Sequence, residues 1–202
     1  MLGRNHVIVN TSSLIIAGNA LMAFQMRYHG PYCIESVSFL EKYVYSYLAG
    51  LEQVPMPLWF LTVIACFLLG SLLPDIDSAT STLGRILHVP VEHRTWTHAI
   101  WLPMIAGVLS IWYPFLFWLN FGYLLHLFWD ALSYGGLCWF YPISKYRMFS
   151  GGAKVKQKHK IKLYRTGKTS EYVVVTIIVM LALSTIALCV VSGVYMDIAV
   201  AL

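Results

Sequence analysis

The run from Tyr172 to Met196 reads YVVVTIIVMLALSTIALCVVSGVYM and contains no charged residue. A helix needs about 20 mostly apolar residues to cross the hydrocarbon core of a bilayer, and this run exceeds that length. Ser170 and Glu171 stand directly before it, and residues of these types favour the start of a helix. The run therefore predicts a transmembrane helix and makes the chain a membrane protein.

The rest of the chain is also more apolar than a soluble domain. Of its 202 residues, 58% are hydrophobic and 11% are charged, whereas soluble domains carry about 25% charged residues. The four cysteines are widely scattered, without the spacing of a zinc ribbon or redox motif, so we expect free thiols. Composition predicts one all-α polytopic membrane domain over residues 1–202.

Three more apolar stretches approach or exceed the length of a membrane span. Pro74 ends one of them, because the residue before a proline is disfavoured in a helix. The pair Tyr113-Pro114 divides another, longer stretch into a helical hairpin. We therefore expect about five transmembrane helices, at residues 7–24, 57–73, 99–112, 115–134 and 172–196.

Basic residues are concentrated in one loop. Nine of the fourteen Lys and Arg residues lie between Lys145 and Lys168, and cytoplasmic loops carry an excess of these residues. The basic loop at 143–169 is therefore predicted to be cytoplasmic. Alternation then places the N-terminus inside, the aromatic-rich loop 25–56 outside and the C-terminus outside.

His126 and Asp130 are the strongest sign of chemistry in the sequence. Residues four apart on a helix lie on one face and can hold the same ion. Ionisable residues inside a membrane are expensive and usually functional. A hydrogen-bonded pair that only joins two helices is the alternative interpretation.

Two further motifs stand in the segment from Pro74 to His98, which the topology places in the cytoplasm. Asp75 and Asp77 follow a proline, and an extended chain there would turn both carboxylates to one side. Thr95 is a candidate N-cap that would place His98 in the first turn of the next helix. The entering loop would contain His93, with Arg94 and Arg85 able to clamp an anionic oxygen.

His6 stands directly before the first predicted span, 7–24, at its cytoplasmic start, and is the N-terminal member of the set. The topology, which was derived from Lys and Arg alone, places His6 at the same membrane face as the other candidates. A mixed set of imidazole and carboxylate ligands suits zinc or a similar divalent metal. We therefore expect one or two metal ions, zinc first, at the cytoplasmic ends of the helices.

Three motifs resemble the YdjM-type family of membrane-bound metal-dependent hydrolases. They are Leu-Leu-Pro-Asp-Ile-Asp at 72–77, His-Arg-Thr-Trp-Thr-His at 93–98 and Gly-Tyr-Leu-Leu-His-Leu-Phe-Trp-Asp at 122–130. The family is distantly similar to zinc-dependent phospholipase C and nuclease. The chain departs from the family pattern at Ser78, Thr95 and Ala99.

The resemblance implies roles for two sets of residues. It implies metal ligands at His6, Asp75, His98, His126 and Asp130, with Asp130 as the bridging candidate. It implies catalytic or supporting roles for Asp77, His93, Arg94 and Glu171.

The basic loop also carries a pattern of its own. From Lys154 to Lys162 every second residue is a lysine, which fits an extended strand with one cationic face. Such a face, continued to Lys168, suits the anionic headgroups of the lipid bilayer. No base-reading element accompanies it, so nucleic acid is not the expected partner.

Three functions compete at this point. The first is a membrane-embedded hydrolase of a prokaryotic inner membrane, which uses metal-activated water on a phosphoester in a lipid or lipid-linked substrate. The second is a metal or ion transporter, which predicts ligands spread across the membrane. The third is a scaffold whose helices are stapled by metal, without hydrolytic activity.

Overall fold

The computed structural model describes residues 3–29, 56–113, 115–143 and 163–192. Within these residues there is no β-strand, and an isolated bridge joins Ser133 to Tyr164. The described part of the chain is therefore all-α, as the composition predicts. Its elements are α1 (Gly3–His29), α2 (Met56–Leu72), a 3-10 helix (Leu73–Asp77), a second 3-10 helix (Trp96–His98), α3 (Trp101–Leu109), α4 (Phe115–Leu132) and α5 (Thr169–Val191).

Among the described residues, α4 and α5 are the helices that are long and apolar enough to cross a membrane. The 18 residues of α4 span about 27 Å, close to the thickness of the hydrocarbon core. The predicted spans 115–134 and 172–196 overlap these helices. Residues after 192 lie outside the described part of the chain.

The other three predicted spans are not confirmed as crossings. Helices α1 and α2 stand where spans 7–24 and 57–73 were predicted, but α3 has only nine residues. It covers about 14 Å, roughly half of a bilayer core. The predicted span 99–112 was too long because the turn that follows α3 is as hydrophobic as the helix itself.

The two predicted loops are only partly described. Helix α1 continues to His29, into the segment that was predicted as an external loop. Residues 30–55 of that segment and residues 144–162 of the basic loop lie outside the described residues.

Helices α2 and α4 approach each other backbone to backbone. A Cβ atom on Gly70 would overlap the carbonyl oxygen of Leu119, and one on Gly122 would overlap that of Phe67. Only glycine fits at both positions, and small residues allow such close contact between membrane helices. The crossing places the last two turns of α2 beside the middle of α4, from Leu119 to His126.

The chain divides into two compact units. One contains residues 1–10 and 60–175, and the other contains residues 11–59 and 176–202. The first unit has a buried apolar cluster of Tyr123, Leu127, Ala131 and Leu137. It also contains every candidate site residue named from the sequence. In the second unit, Nδ2 of Asn19 donates to Oγ1 of Thr185 at 3.0 Å.

Candidate metal centre

His126 and Asp130 lie in the last two turns of α4, where both side chains are buried. Their facing atoms, Nε2 and Oδ2, are 3.9 Å apart, as the four-residue helical spacing predicts. At 1.5 Å of rise per residue, they lie about 9 Å and 3 Å before the end of the helix at Leu132. The pair therefore sits at one end of a membrane-length helix.

Asp75 and Asp77 lie in the 3-10 helix that follows α2, so the predicted extended conformation is wrong. Pro74 occupies the first turn of that helix, where its fixed φ is compatible with helical geometry and its missing N–H costs nothing. With three residues per turn, side chains two apart diverge. The carboxylate of Asp75 therefore faces His126, whereas that of Asp77 faces His93.

His98 is fully buried in the second 3-10 helix. Thr95 stands directly before that helix, but its hydroxyl donates to the carbonyl of Glu92 and does not cap it, so the predicted side-chain cap is wrong. The hydroxyl of Tyr123 donates to the carbonyl of Thr97, which ties this segment to α4. These contacts hold the imidazole of His98 at the end of α4.

Four side chains converge at this point, and one ligand atom from each lies within 4.8 Å of all the others: Asp75, His98, His126 and Asp130. Nε2 of His98 is 3.8 Å from Asp75 and 3.5 Å from Asp130, and Nε2 of His126 is 3.6 Å from Asp75. A four-coordinate zinc with ligands at about 2.0–2.2 Å separates them by about 3.3–3.6 Å. A small contraction would thus let the four residues hold a metal ion.

The hydrogen bonds of the two imidazoles support this interpretation. Nδ1 of His126 donates to the carbonyl oxygen of Ser71 at 2.7 Å, so in the neutral ring Nε2 carries the lone pair. The Nε2 atoms of His98 and His126 are buried and have no hydrogen-bond partner among the described residues. Buried polar atoms are normally paired, and metal-binding histidines use their other nitrogen for an orienting hydrogen bond. The donor set fits a divalent metal.

The charges of the site also favour a cation. Asp75, Asp77 and Asp130 are buried with Arg94. With neutral imidazoles, three negative charges and one positive charge leave a net charge of −2. A buried excess of this kind is costly unless a cation balances it, and one divalent ion would make the sum zero.

Asp75 and Asp77, which lie outside the α-helices, both have lowered pKa values. Burial acts to raise the pKa of Asp75, but the nearby His126 and His6 outweigh it and bring the pKa to about 2. Burial likewise opposes ionisation of Asp77, and hydrogen bonds from His93, His98 and Thr97 lower its pKa below the usual range. Both carboxylates are therefore available as anions at neutral pH.

Asp77 orients His98 from the side opposite to the four-atom cluster. Its Oδ2 accepts the hydroxyl of Thr97 at 2.5 Å, and Oγ1 of Thr97 accepts from Nδ1 of His98 at 3.0 Å, whereas Oδ2 and Nδ1 themselves are 3.7 Å apart. Burial lowers the pKa of His98, but the carboxylates of Asp130 and Asp77 outweigh it and raise the pKa. Asp77 thus supports His98, which is a candidate metal ligand. Asp77, His93 and His98 also form a second group that could hold a metal ion.

Arg94 is buried against the cluster, whereas Arg85 is exposed. Nη2 of Arg94 lies 3.1 Å from Oδ2 of Asp130, and its Nη1 donates to Oγ of Ser133 at 3.0 Å. The backbone of Arg94 has φ of 65°, a left-handed conformation that costs a non-glycine residue about 1–2 kcal/mol. Strain of this kind persists where surrounding contacts hold the residue in place.

His6 approaches Asp130 from the other side. Its Nε2 lies 3.1 Å from Oδ1 of Asp130, and its ring stacks on His126 with centroids 3.7 Å apart. It faces the opposite carboxylate oxygen from the one that His98 and Arg94 face, so it stands beside the four-atom group. Asn10, one turn along α1, donates to the carbonyl of Gly122 at 3.4 Å and ties α1 to α4.

The remaining two predicted site residues lie at the edge. The side chain of His93 is 42% exposed, and its Nδ1 donates to Oδ1 of Asp77 at 2.7 Å. Glu171 is buried at the start of α5, where its carboxylate accepts from Nδ2 of Asn5 at 2.7 Å and from the N–H of Gly167 at 2.6 Å. Its contacts thus join α5 to α1.

The structure adds supporting residues that the sequence did not single out. Ser71 offers a backbone carbonyl, which no side-chain motif can reveal. Tyr123 and Ser133 stand three residues before His126 and three residues after Asp130, and that helical spacing was a usable signal. The role of Asn5 depends on its contact with Glu171 between α1 and α5, which no local sequence pattern reveals.

The helical architecture and the buried His/Asp cluster define an α-helical membrane protein with a candidate metal centre. The model of the YdjM inner membrane protein family matches residues 44–196, and the chain belongs to that family. The matched range includes every candidate site residue except His6. No curated protein and no solved structure matches the chain.

Proposed function

We propose that this protein is a membrane-embedded, metal-dependent hydrolase of a phosphoester in a lipid or lipid-linked substrate. The observation that carries the proposal is the buried group of Asp75, His98, His126 and Asp130, whose two Nε2 atoms lack hydrogen-bond partners among the described residues. We propose zinc as the preferred metal, because imidazole and carboxylate ligands suit it. If a second ion binds, we propose His6 as its ligand together with Oδ1 of Asp130.

The chain's own residues position and balance the site. A divalent metal bound there would supply Lewis acidity, which activates water and neutralises charge that develops on a phosphoryl oxygen. Asp77 holds the hydroxyl of Thr97, which in turn accepts from Nδ1 of His98, and the carbonyl of Ser71 accepts from Nδ1 of His126. Arg94 holds Asp130 and adds a positive charge beside the reacting groups. The partly exposed His93 links Asp77 to the solvent side.

The proposed orientation places the site at the cytoplasmic face. It rests on the positive-inside rule applied to the nine basic residues between Lys145 and Lys168. Anionic headgroups attracted by those residues would accumulate at the same face as the site. A phosphoester in a lipid headgroup is therefore the proposed substrate class.

A metal staple without catalytic activity is the second candidate function. The burial of all four ligands favours it, because structural zinc sites are closed by four protein ligands, whereas catalytic sites keep one position open. The ligands also come from three separate elements, which a staple would join. A permeation site has less support, since the cluster occupies one end of α4.

The test is a phosphoesterase assay on zinc-loaded protein in phospholipid nanodiscs, with phosphomonoester and phosphodiester lipids as the panel. The proposal predicts turnover by the wild type, loss of turnover and metal in His126→Ala and Asp130→Ala, and loss of turnover with metal retained in Arg94→Gln. His88→Ala is the matched control, because His88 is exposed and outside the cluster. Zinc-loaded wild type that cleaves no member of the panel would favour the staple.

A further inference from the structure

Exposed apolar side chains stand near the candidate metal centre, outside the membrane-length helices. Ile86 and Leu87 are 77% and 59% exposed, and Ile143 is 81% exposed. Val89 and Trp96 are also exposed. We call these five residues the apolar collar: Ile86, Leu87, Val89, Trp96 and Ile143.

The collar is tied to the segments that carry the metal ligands. The N–H of Val89 donates to the carbonyl of Ile76 at 3.1 Å, and Ile76 stands between Asp75 and Asp77. Trp96 is two residues from His98, and its ring packs edge-on against Tyr141 with centroids 5.3 Å apart. The collar therefore lies at the ends of the ligand-bearing segments.

The depth of the collar follows from the helices that precede it. Its loops follow α2 and α4, and the membrane-length α4 ends at Leu132. Residues just beyond the end of a spanning helix lie at the level of the lipid headgroups, where Trp and Tyr are enriched. Trp96 and Tyr141 are residues of these types, and their rings pack against each other.

The chemistry of the collar fits a phospholipid interface. Its apolar residues are interspersed with the exposed polar residues Arg85, His88 and Glu92, so apolar side chains can enter the acyl region while polar ones stay at the headgroups. The guanidinium of Arg85 complements an anionic headgroup. In the same unit, α3 carries the exposed apolar residues Leu102 and Met104.

We propose that the apolar collar is embedded in the headgroup layer of the bilayer, which places the segments that carry Asp75 and His98 at the level of the lipid headgroups. This placement does not depend on whether the site hydrolyses its ligand. It would hold equally for a metal staple.

The proposal is tested with p-benzoylphenylalanine, a photoreactive residue, placed at position 87 of the full-length protein in phosphatidylethanolamine and phosphatidylglycerol nanodiscs. Irradiation should give a lipid adduct at position 87, detected by mass spectrometry, at a yield within about threefold of that at position 104 on α3. Position 92, which carries the polar Glu92 in the same segment, is the control and should give at least about tenfold fewer adducts on lipid acyl chains. Absence of a lipid adduct at 87, or a cross-linked dimer in its place, would overturn the proposal.

A second variant tests the proposal if the protein that carries the photoreactive residue does not fold. Leu87→Glu should retain the metal content of the wild type, because Leu87 is exposed. A cysteine engineered at the neighbouring position 86 should be protected by the bilayer from a water-soluble maleimide. The Leu87→Glu change should abolish that protection. Equal maleimide labelling of position 86 with and without the Leu87→Glu change would contradict the embedded collar. Neither readout requires activity, so failure here is distinguishable from failure of the proposed hydrolysis.

Discussion

Nδ1 of His126 lies 2.7 Å from the backbone carbonyl oxygen of Ser71, so the last turn of α2 orients a candidate ligand on α4. Carbonyls in the last turn of a helix lack an intrahelical partner, and Ser71 is one residue from the end of α2. The glycines at 70 and 122 allow the two backbones to come this close. Helix packing and ligand orientation therefore depend on the same contact.

The first prediction tests that dependence with Gly122→Ala. The added Cβ would overlap the carbonyl oxygen of Phe67, so the helices must separate and the His126 hydrogen bond must lengthen. Loss of such an orienting contact lowers metal affinity about 10- to 100-fold. Competition with a chelator measures it. Gly18→Ala is the matched control, since nothing lies within 4 Å of its added Cβ, and an equal loss in both variants would contradict the account.

The second prediction concerns Asp77→Asn, which keeps the shape of the side chain and removes its charge. Asp77 holds the Thr97 hydroxyl that accepts from Nδ1 of His98, so we expect about a 10- to 100-fold loss of metal affinity without loss of the ion at saturating zinc. His93→Gln should have a smaller effect, because His93 contacts Asp77 and is partly exposed. Isothermal titration with zinc distinguishes the two. Unchanged zinc affinity in Asp77→Asn would show that Asp77 does not orient His98.

The third prediction concerns Arg94→Gln, in which Asp130 loses a buried cationic partner at 3.1 Å. In the metal-free protein this should cost about 3–5 kcal/mol, because it leaves a buried charge unpaired. With zinc bound the cost should be smaller, since the ion balances the same carboxylate, and zinc affinity should therefore rise. Thermal unfolding with zinc and with chelator measures the difference.

The variant Gly135→Ala tests the contact between Arg94 and Asp130 independently, by the same thermal unfolding with and without zinc. Its Cβ would overlap Nη1 of Arg94, so the guanidinium must move although its charge remains. We expect a destabilisation of the same sign, again larger without metal. Equal destabilisation with and without zinc, in both variants, would show that Arg94 does not share Asp130 with a cation.

Much of the architecture was predictable because hydrophobic runs and breakers are local signals. The apolar run at Tyr172 and the four-residue spacing of His126 and Asp130 each depend on a single helix. The short helix α3 and the 3-10 geometry at Asp75 were not predictable in this way. Both depend on how a segment packs against its neighbours, which composition does not encode.

The supporting shell of the site was the least predictable part. The contact of Ser71 with His126 uses a backbone atom and needs a helix crossing that only the fold reveals. Arg94 was identified as a candidate anion clamp, but its bond to Asp130 depends on a left-handed backbone at a residue type that rarely adopts it.

The fourth prediction is the membrane orientation. The basic segment Lys145 to Lys168 predicts a cytoplasmic N-terminus and an external C-terminus. Tags at the two ends, tested for protease access in sealed inside-out and right-side-out vesicles, measure it directly. Access to the N-terminal tag from the external side would place the candidate site on the opposite face and exclude a cytoplasmic substrate.

The fifth prediction concerns the metal itself, and its measurement is elemental analysis of the purified protein after reconstitution with zinc and removal of loosely bound ions. The wild type and His88→Ala should each retain at least one divalent metal per chain, whereas His126→Ala should retain none, because it removes one of four converging ligands. Wild-type protein that retains no metal, or His126→Ala protein that retains as much as the wild type, would contradict a metal centre at this site.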